Sequence, residues 1–172
     1  MKEKILISKK EIDAKIRELA QHIDADYAND ELVCLGILNG AVVFFSDLVR
    51  QISIKIYCGF VGFSSYENNI NTHNLKYTLP LTVDVKNKHV LIVEDIIDTG
   101  ISISNSHIYN RLIDLGALSV KLCALLSKPS KQIDISVKID YLGFEIPDIY
   151  VYGYGMDNNG LYRNLDCIKF LE

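Results

Sequence analysis

Residues 90–102 read VLIVEDIIDTGIS, and this stretch decides the fold. Its first four residues are apolar, which indicates a strand buried on both faces and therefore a parallel sheet covered by helices. Glu94, Asp95 and Asp98 follow where that strand ends, which is the edge at which open α/β sheets bind their ligands. The stretch predicts an α/β fold with acidic groups at the rim of a mainly parallel sheet.

The turn after this strand combines the hydroxyls of Thr99 and Ser102 with Gly100. Apolar residues follow at helical spacing: Ile101, Ile108, Leu112 and Leu115. The free amides and the dipole of such a helix start attract a phosphate, and a glycine lets the backbone approach it. Glu94 and Asp95 would repel a phosphate but accept hydrogen bonds from ribose hydroxyls. The pattern indicates a ribose 5-phosphate site; the alternative is an ordinary strand end with solvated acids.

The composition suits one compact domain that binds a small molecule. The chain has 172 residues, 49% of them hydrophobic, with a net charge of -4. This balance argues against a nucleic-acid-binding surface, which needs a basic face. The N-terminus returns to polar residues at Ser8, too soon for a signal peptide, and no apolar run reaches membrane-spanning length. We therefore expect a cytoplasmic protein.

The cysteines and histidines show no metal-ligand spacing. Cys34, Cys58, Cys123 and Cys167 are widely separated and lack the paired Cys-x-x-Cys arrangement of a zinc site. We expect them to be buried free thiols. The four histidines are expected at the surface or at the boundary of the core.

Local patterns predict alternating strands and helices. Residues 8–11 have the form of a capping box, so a helix of about four turns should begin there. Ser64 to Thr78 is polar and rich in asparagine, which predicts a mobile loop. The remaining predicted elements are strands at 32–38, 54–63, 88–93, 120–126, 139–144, 149–152 and 167–171, and helices at 41–52 and 102–115. A single domain over residues 1–172 results, with a small hood built from the N-terminus and about residues 129–172.

Residues 90–102 resemble the phosphoribosyl pyrophosphate signature of the purine phosphoribosyltransferases. Their Glu-Asp-Ile-Ile-Asp-Thr-Gly core is similar to that of the hypoxanthine-guanine branch. Four further segments occur in the family's order, so the resemblance covers residues 33–163. It implies a type I phosphoribosyltransferase fold, a mainly parallel twisted sheet flanked by helices with a C-terminal hood.

The resemblance implies two loops around the reaction centre. Leu38, Asn39 and Gly40 occupy the position of the family's pyrophosphate-binding loop, although a plain strand-to-helix turn would have the same sequence. Many relatives carry Lys or Arg at the position of Asn39, so this chain lacks a cation there. A second segment, Ser64-Ser65-Tyr66, resembles the start of the flexible loop that closes over the site.

The resemblance also implies a purine subsite. Lys128 matches a lysine that donates to the exocyclic oxygen of the base, and Tyr150 matches an aromatic residue, usually Phe, that stacks on it. The backbone at Val151 and Asp157 would read the edge of the purine. Taken singly, these residues would be a surface lysine, a core aromatic and a turn acid.

A magnesium ion and the phosphate groups complete the implied site. Asp157, Glu94 and Asp95 are the implied carboxylates for Mg²⁺, and Arg163 matches an arginine on the pyrophosphate. The ribose and its phosphate would be held by Glu94, Asp95, Asp98, Thr99, Gly100, Ile101 and Ser102.

The implied reaction is transfer of the 5-phosphoribosyl group from phosphoribosyl pyrophosphate to N9 of hypoxanthine, and of guanine, with Asp98 as general base. Such enzymes serve purine salvage and form homodimers or homotetramers. Two other hypotheses remain open. One is a regulatory relative that binds RNA, and the other is a module that binds the nucleotide without turnover.

Overall fold

A six-stranded sheet organises the chain in the computed structural model, which describes residues 2–67, 70–99, 107–131 and 138–172. Neighbouring strands in this sheet are parallel, except for its first pair, which is antiparallel. In sheet order the strands are β4 (Ile70–Leu79), β3 (Ile56–Glu67), β2 (Leu32–Leu38), β5 (His89–Ile97), β6 (Ser119–Ser127) and β7 (Tyr141–Glu145).

Strand β5 is buried on both faces, as its apolar run predicts. Leu91 and Val93 pack into the core on one face, and Val90 and Ile92 pack into the core on the other. All four side chains have no exposed surface. Because successive residues of a strand point to opposite faces, a sheet covered on both sides requires such an uninterrupted apolar run. The predicted α/β class with a mainly parallel sheet is confirmed.

Helices α1 (Lys9–Asp26) and α2 (Val42–Val49) pack on one face of the sheet, and α3 (Ile108–Asp114) packs on the other. The predicted capping box is confirmed, because the Ser8 hydroxyl accepts from the Glu11 amide and the Glu11 carboxylate accepts from the Ser8 amide. The predicted helix at 102–115 is seen from Ile108, and residues 100–106 lie outside the described part. No helix in the described ranges is long and apolar enough to cross a membrane.

A second, three-stranded antiparallel sheet joins the two ends of the chain. It contains β1 (Glu3–Ile7), β9 (Ile168–Leu171) and β8 (Val151–Tyr152) in that order. The sequence did not predict β1, because its side chains are mostly exposed and its partner lies some 160 residues away. This sheet fixes the backbone on either side of the segment that leads to Arg163.

Two predictions from the sequence are wrong. The segment Ser64 to Thr78 is predicted as a loop, but its described residues, 64–67 and 70–78, belong to β3 and β4, which pair antiparallel at the edge of the sheet. Strands at the edge of a sheet can pair through their backbones without alternating apolar side chains. The polar sequence therefore gave no signal for a strand in this segment. Cys58, predicted as buried, is exposed, whereas Cys34, Cys123 and Cys167 are buried. Cys58 lies on β3, in register with Cys34 but one strand nearer the edge.

Candidate active site

The carboxyl ends of β2, β5 and β6 meet at one edge of the sheet, because the three strands are parallel. A pocket of about 260 Å³ lies at this edge. It is lined by seven residues selected from the sequence together with Ile96 and Met156; the seven are Asp95, Asp98, Lys128, Tyr150, Val151, Asp157 and Arg163. The pocket therefore joins residues at the ends of the parallel strands to residues between β8 and β9, up to 68 positions apart from Asp95 to Arg163.

Glu94 and Asp95 form an acidic pair near the carboxyl end of β5. Burial raises the pKa of Glu94 well above its usual range, and the neighbouring Asp95 carboxyl adds to the effect. Burial also raises the pKa of Asp95, although hydrogen bonds and the charge of Arg163 oppose this. One Asp95 oxygen accepts from the Ile96 amide at 2.8 Å. Oε2 of Glu94 is buried and has no hydrogen-bond partner in the described part of the chain, so it is an acceptor that lacks a donor.

The predicted pyrophosphate loop packs directly against this acidic pair. A Cβ atom on Gly40 would lie 1.9 Å from Oδ2 of Asp95, so a larger residue there would displace the Asp95 carboxylate. Likewise, a Cβ atom on Gly155 would lie 2.1 Å from the Gly40 carbonyl oxygen, and the φ angle of Gly155 is +99°. The peptide bond between Leu38 and Asn39 is cis. These close approaches hold the loop against both the end of β5 and the segment that leads to Asp157.

Asp98 and Lys128 are paired across the ends of β5 and β6. The Lys128 amide donates to the Ile97 carbonyl at 3.0 Å, which continues the register of the two strands past their ends. Nζ of Lys128 lies 3.5 Å from Oδ2 of Asp98, and Lys128 is only 5% exposed. Within the described ranges Oδ1 of Asp98 is buried without a hydrogen-bond partner. One oxygen of Asp98 thus faces a buried cation, and the other is an unused acceptor.

Lys131 and Asp148 complete this charged group, and sequence reasoning missed both. Nζ of Lys131 lies 3.1 Å from Oδ1 of Asp148 and 3.6 Å from Oδ2 of Asp98. The only sequence signal for them is local: each lies beside a proline turn, at Lys128-Pro129-Ser130-Lys131 and at Pro147-Asp148.

Tyr150, Asp157 and Arg163 are joined by short polar contacts. Tyr150 is 57% exposed at the pocket, and its hydroxyl donates to the Asp157 carbonyl at 2.7 Å. The Asp157 carboxylate accepts from Nη2 of Arg163 at 2.7 Å and from the Gly160 amide at 2.7 Å. Nη1 of Arg163 donates to the Gly155 carbonyl at 2.7 Å. Asp157 and Arg163 therefore contact each other as well as the pocket.

The structure describes some of the residues selected from the sequence only in part, and others not at all. Thr99 is half-buried just after β5. The described residues do not include Gly100, Ile101 and Ser102. The turn predicted to bind the ribose 5-phosphate therefore stays a prediction. Ser64, Ser65 and Tyr66 belong to β3, and their side chains lie outside the description. The closing motion assigned to that segment likewise stays a prediction.

The acidic groups of the pocket suit Mg²⁺. No group of three or more His, Cys, Asp or Glu side chains is arranged to hold a metal ion among the described residues. Mg²⁺ does not need such a cage, because it commonly takes one or two carboxylates and fills its shell with phosphate oxygens and water. Asp95 and Asp157 line the pocket and offer hard oxygen donors, and Glu94 precedes Asp95 in β5.

Comparison with known proteins identifies the family. Residues 5–159 match the family model described as phosphoribosyl transferase domain. The chain belongs to this phosphoribosyltransferase family. The resemblance found in residues 33–163 and the type I fold that it implies are confirmed.

Proteins similar to this chain are named as phosphoribosyltransferases that act on purines. The chain is 40% identical to a hypoxanthine phosphoribosyltransferase from Haemophilus influenzae, over 95% of this chain and 92% of the relative. It is 37% identical to a hypoxanthine-guanine phosphoribosyltransferase from Bacillus subtilis, over 99% and 93% respectively. A solved hypoxanthine-guanine phosphoribosyltransferase from Bacillus anthracis superposes with a TM-score of 0.91 at 34% identity, covering 98% of each chain.

Proposed function

We propose that this protein transfers the 5-phosphoribosyl group of phosphoribosyl pyrophosphate to N9 of hypoxanthine, and of guanine, in purine salvage. The products are pyrophosphate and inosine or guanosine monophosphate. The observation that carries the proposal is the buried Lys128 beside the unused acceptor of Asp98, at the pocket where Tyr150 presents its ring. The similarity to named purine enzymes over nearly the whole chain supports it.

The proposed purine subsite offers the base a hydrogen-bond donor, a hydrogen-bond acceptor and an aromatic ring. The Lys128 ammonium donates to the 6-oxo group, which draws electron density to that oxygen. Oδ1 of Asp98 accepts the proton from N7, so that N9 becomes the nucleophile as the bond to the sugar forms. Tyr150 stacks on the ring, because the face of a tyrosine offers apolar contact without a hydrogen-bond requirement.

The barrier to the reaction is charge separation at C1 of the ribose. As pyrophosphate leaves, C1 becomes positive and the departing oxygens become more negative. The Arg163 guanidinium and the amides of the loop at Leu38, Asn39 and Gly40 stabilise those oxygens. Arg163 is well placed for this, since Asp157 and the Gly155 carbonyl hold its guanidinium at two points.

Glu94 and Asp95 hold the ribose. Glu94 is half-buried and Asp95 is buried, and burial raises the pKa of both carboxyl groups in the free enzyme. Ribose hydroxyls donate to these oxygens, supply the missing partner of Glu94 Oε2 and fix the sugar while both bonds to C1 are weak. The 5-phosphate is assigned to the turn at residues 98–102.

Mg²⁺ is the proposed cofactor, held by Asp157 with Glu94 and Asp95 as the nearby carboxylates. When bound, it supplies positive charge to the pyrophosphate oxygens. A homodimer or homotetramer in the cytoplasm is proposed from the family resemblance. The non-catalytic and RNA-binding alternatives are less favoured, because the relatives named above are enzymes and the chain is acidic.

One assay tests the proposal. Pyrophosphate release is measured with phosphoribosyl pyrophosphate, Mg²⁺ and hypoxanthine, guanine, xanthine, adenine or uracil in separate reactions. We expect release with hypoxanthine and guanine, and loss of release when a chelator removes the metal. Release with none of the bases would leave the nucleotide-binding module as the better hypothesis. Release with uracil alone would contradict the purine assignment.

A further inference from the structure

Two cations and two anions alternate in a closed ring, and two of the four, Asp98 and Lys128, line the proposed purine subsite. Nζ of Lys131 lies within 3.6 Å of Asp98 and 3.1 Å of Asp148. Nζ of Lys128 lies within 3.5 Å of the same Asp98 oxygen and 3.9 Å of the same Asp148 oxygen. Asp98 and Lys128 already have roles in the proposed reaction. Lys131 and Asp148 have none.

Local backbone turns hold the two unassigned side chains beside Asp98 and Lys128, which line the pocket. The Lys131 amide donates to the Lys128 carbonyl at 3.0 Å in the short 3₁₀ turn Pro129–Lys131. The Ile149 amide donates to the Pro147 carbonyl at 2.8 Å, so Asp148 is the central residue of a three-residue turn. Tyr150 follows two positions later. The contact between Lys131 and Asp148 therefore joins the end of β6 to the segment that presents the stacking ring.

The ring matters because Lys128 is buried. A buried ammonium group needs a negative partner, since burial removes the water that would otherwise stabilise it. When Asp98 takes the N7 proton it becomes neutral and no longer compensates Lys128. Asp148 then supplies the negative charge beside Lys128, and the ion pair with Lys131 keeps the Asp148 carboxylate in place.

We propose that Lys131 and Asp148 are positioning residues, which hold Lys128 and the Tyr150 segment against the purine. They act through Lys128 and do not touch the reacting atoms. This inference rests on the proposed transfer to a 6-oxopurine. An isolated, half-exposed ion pair would have little effect, but both acids that Lys131 contacts also contact Lys128, which is 5% exposed.

Steady-state kinetics of Lys131→Met, Asp148→Asn and the double variant test the proposal. We expect each single change to raise the KM for hypoxanthine about 5- to 20-fold, with the KM for phosphoribosyl pyrophosphate unchanged within about twofold, because only purine binding depends on the ring. The double variant should be no worse than the more affected single one, since the contact that both changes remove, between Lys131 and Asp148, carries the positioning role. Lys131→Arg should retain a KM near that of the wild type.

A matched control is Lys138→Met, which removes the exposed lysine of a 2.9 Å ion pair with Asp140 outside the pocket. Its KM for hypoxanthine should stay that of the wild type. An unchanged KM in Lys131→Met and Asp148→Asn, an equal rise for both substrates, or additive effects in the double variant would overturn the positioning role. The two proposals fail in different ways. If the wild-type protein releases no pyrophosphate with any base, the phosphoribosyl transfer is rejected. If the wild-type protein is active and the variants have the same kinetics, only the positioning role is rejected.

Discussion

The Tyr150 hydroxyl donates a 2.7 Å hydrogen bond to the Asp157 carbonyl oxygen, across seven residues of chain. This bond ties the exposed aromatic ring to the segment whose backbone is expected to read the edge of the purine. It also uses one of the two lone pairs on that carbonyl. A phenylalanine, usual at this position in the family, has no hydroxyl and leaves both lone pairs free.

Removing that hydroxyl should improve the use of guanine relative to hypoxanthine. Guanine carries a 2-amino donor that hypoxanthine lacks, and Tyr150→Phe frees an acceptor for it while keeping the stacking face. We expect the ratio of kcat/KM for guanine to that for hypoxanthine to rise about 2- to 10-fold, the usual range for one hydrogen bond. Tyr162→Phe, at an exposed tyrosine outside the pocket, is the control. An unchanged ratio in Tyr150→Phe would show that this carbonyl does not discriminate the bases.

Replacing Asp98 by asparagine should remove the general base. Asparagine keeps the shape of the side chain but cannot take the N7 proton, so kcat should fall about 10²- to 10⁴-fold. The KM for phosphoribosyl pyrophosphate should change little. The measurement is pyrophosphate release at saturating substrates, with Asp166→Asn at the surface as control. Turnover near the wild-type value would exclude the proton-accepting role.

Truncating Lys128 should damage the recognition of 6-oxopurines. Lys128→Ala removes the donor to the 6-oxo group and leaves the acids at 3.5 Å and 3.9 Å without their buried cation. We expect kcat/KM for hypoxanthine to fall at least about 10²-fold, as expected when a charged hydrogen bond is lost in a buried site. Lys138→Ala serves as the control, and melting temperatures show whether each variant is folded. If Lys128→Ala used hypoxanthine normally, another residue would have to bind the 6-oxo group.

The strand at the centre of the sheet and the acids at its end could be predicted because they depend on local sequence. Four apolar residues in a row require burial on both faces, and Val90 and Ile92 do face one core while Leu91 and Val93 face the other. The proximity of Asp98 and Lys128 could also be predicted. Both follow the ends of neighbouring parallel strands, so register alone brings them together.

Other features could not be predicted, because they depend on contacts between distant parts of the chain. β1 pairs with β9, whose sequence gives no indication of that partner. The contact of Lys131 with Asp148 requires two turns whose relative placement is set by the sheet. Tyr150 could be selected as a stacking residue, but its bond to the Asp157 carbonyl depends on how residues 150–157 fold back.

The stability of the ligand-free protein should fall as the pH rises, because of Glu94. Burial raises the pKa of Glu94 in the folded chain, whereas the unfolded chain releases this proton near the ordinary value of 4.5. Between those two pKa values the folded protein binds more protons than the unfolded protein. The free energy of unfolding therefore decreases with increasing pH across that window, at up to about 1.4 kcal/mol per pH unit for one proton.

Glu94→Gln should remove this slope, since glutamine stays neutral at every pH. Urea unfolding of the ligand-free proteins from about pH 5 to 9 should show wild type and variant converging at low pH, with the variant more stable at high pH. Glu145→Gln, at the exposed end of β7, should follow the wild-type curve. The same Glu94→Gln change should weaken the binding of phosphoribosyl pyrophosphate, because an amide has only one oxygen to accept from the ribose hydroxyls. Parallel unfolding curves for wild type and Glu94→Gln would mean that Glu94 is already ionised in the free enzyme, and the ribose would then bind to a charged carboxylate.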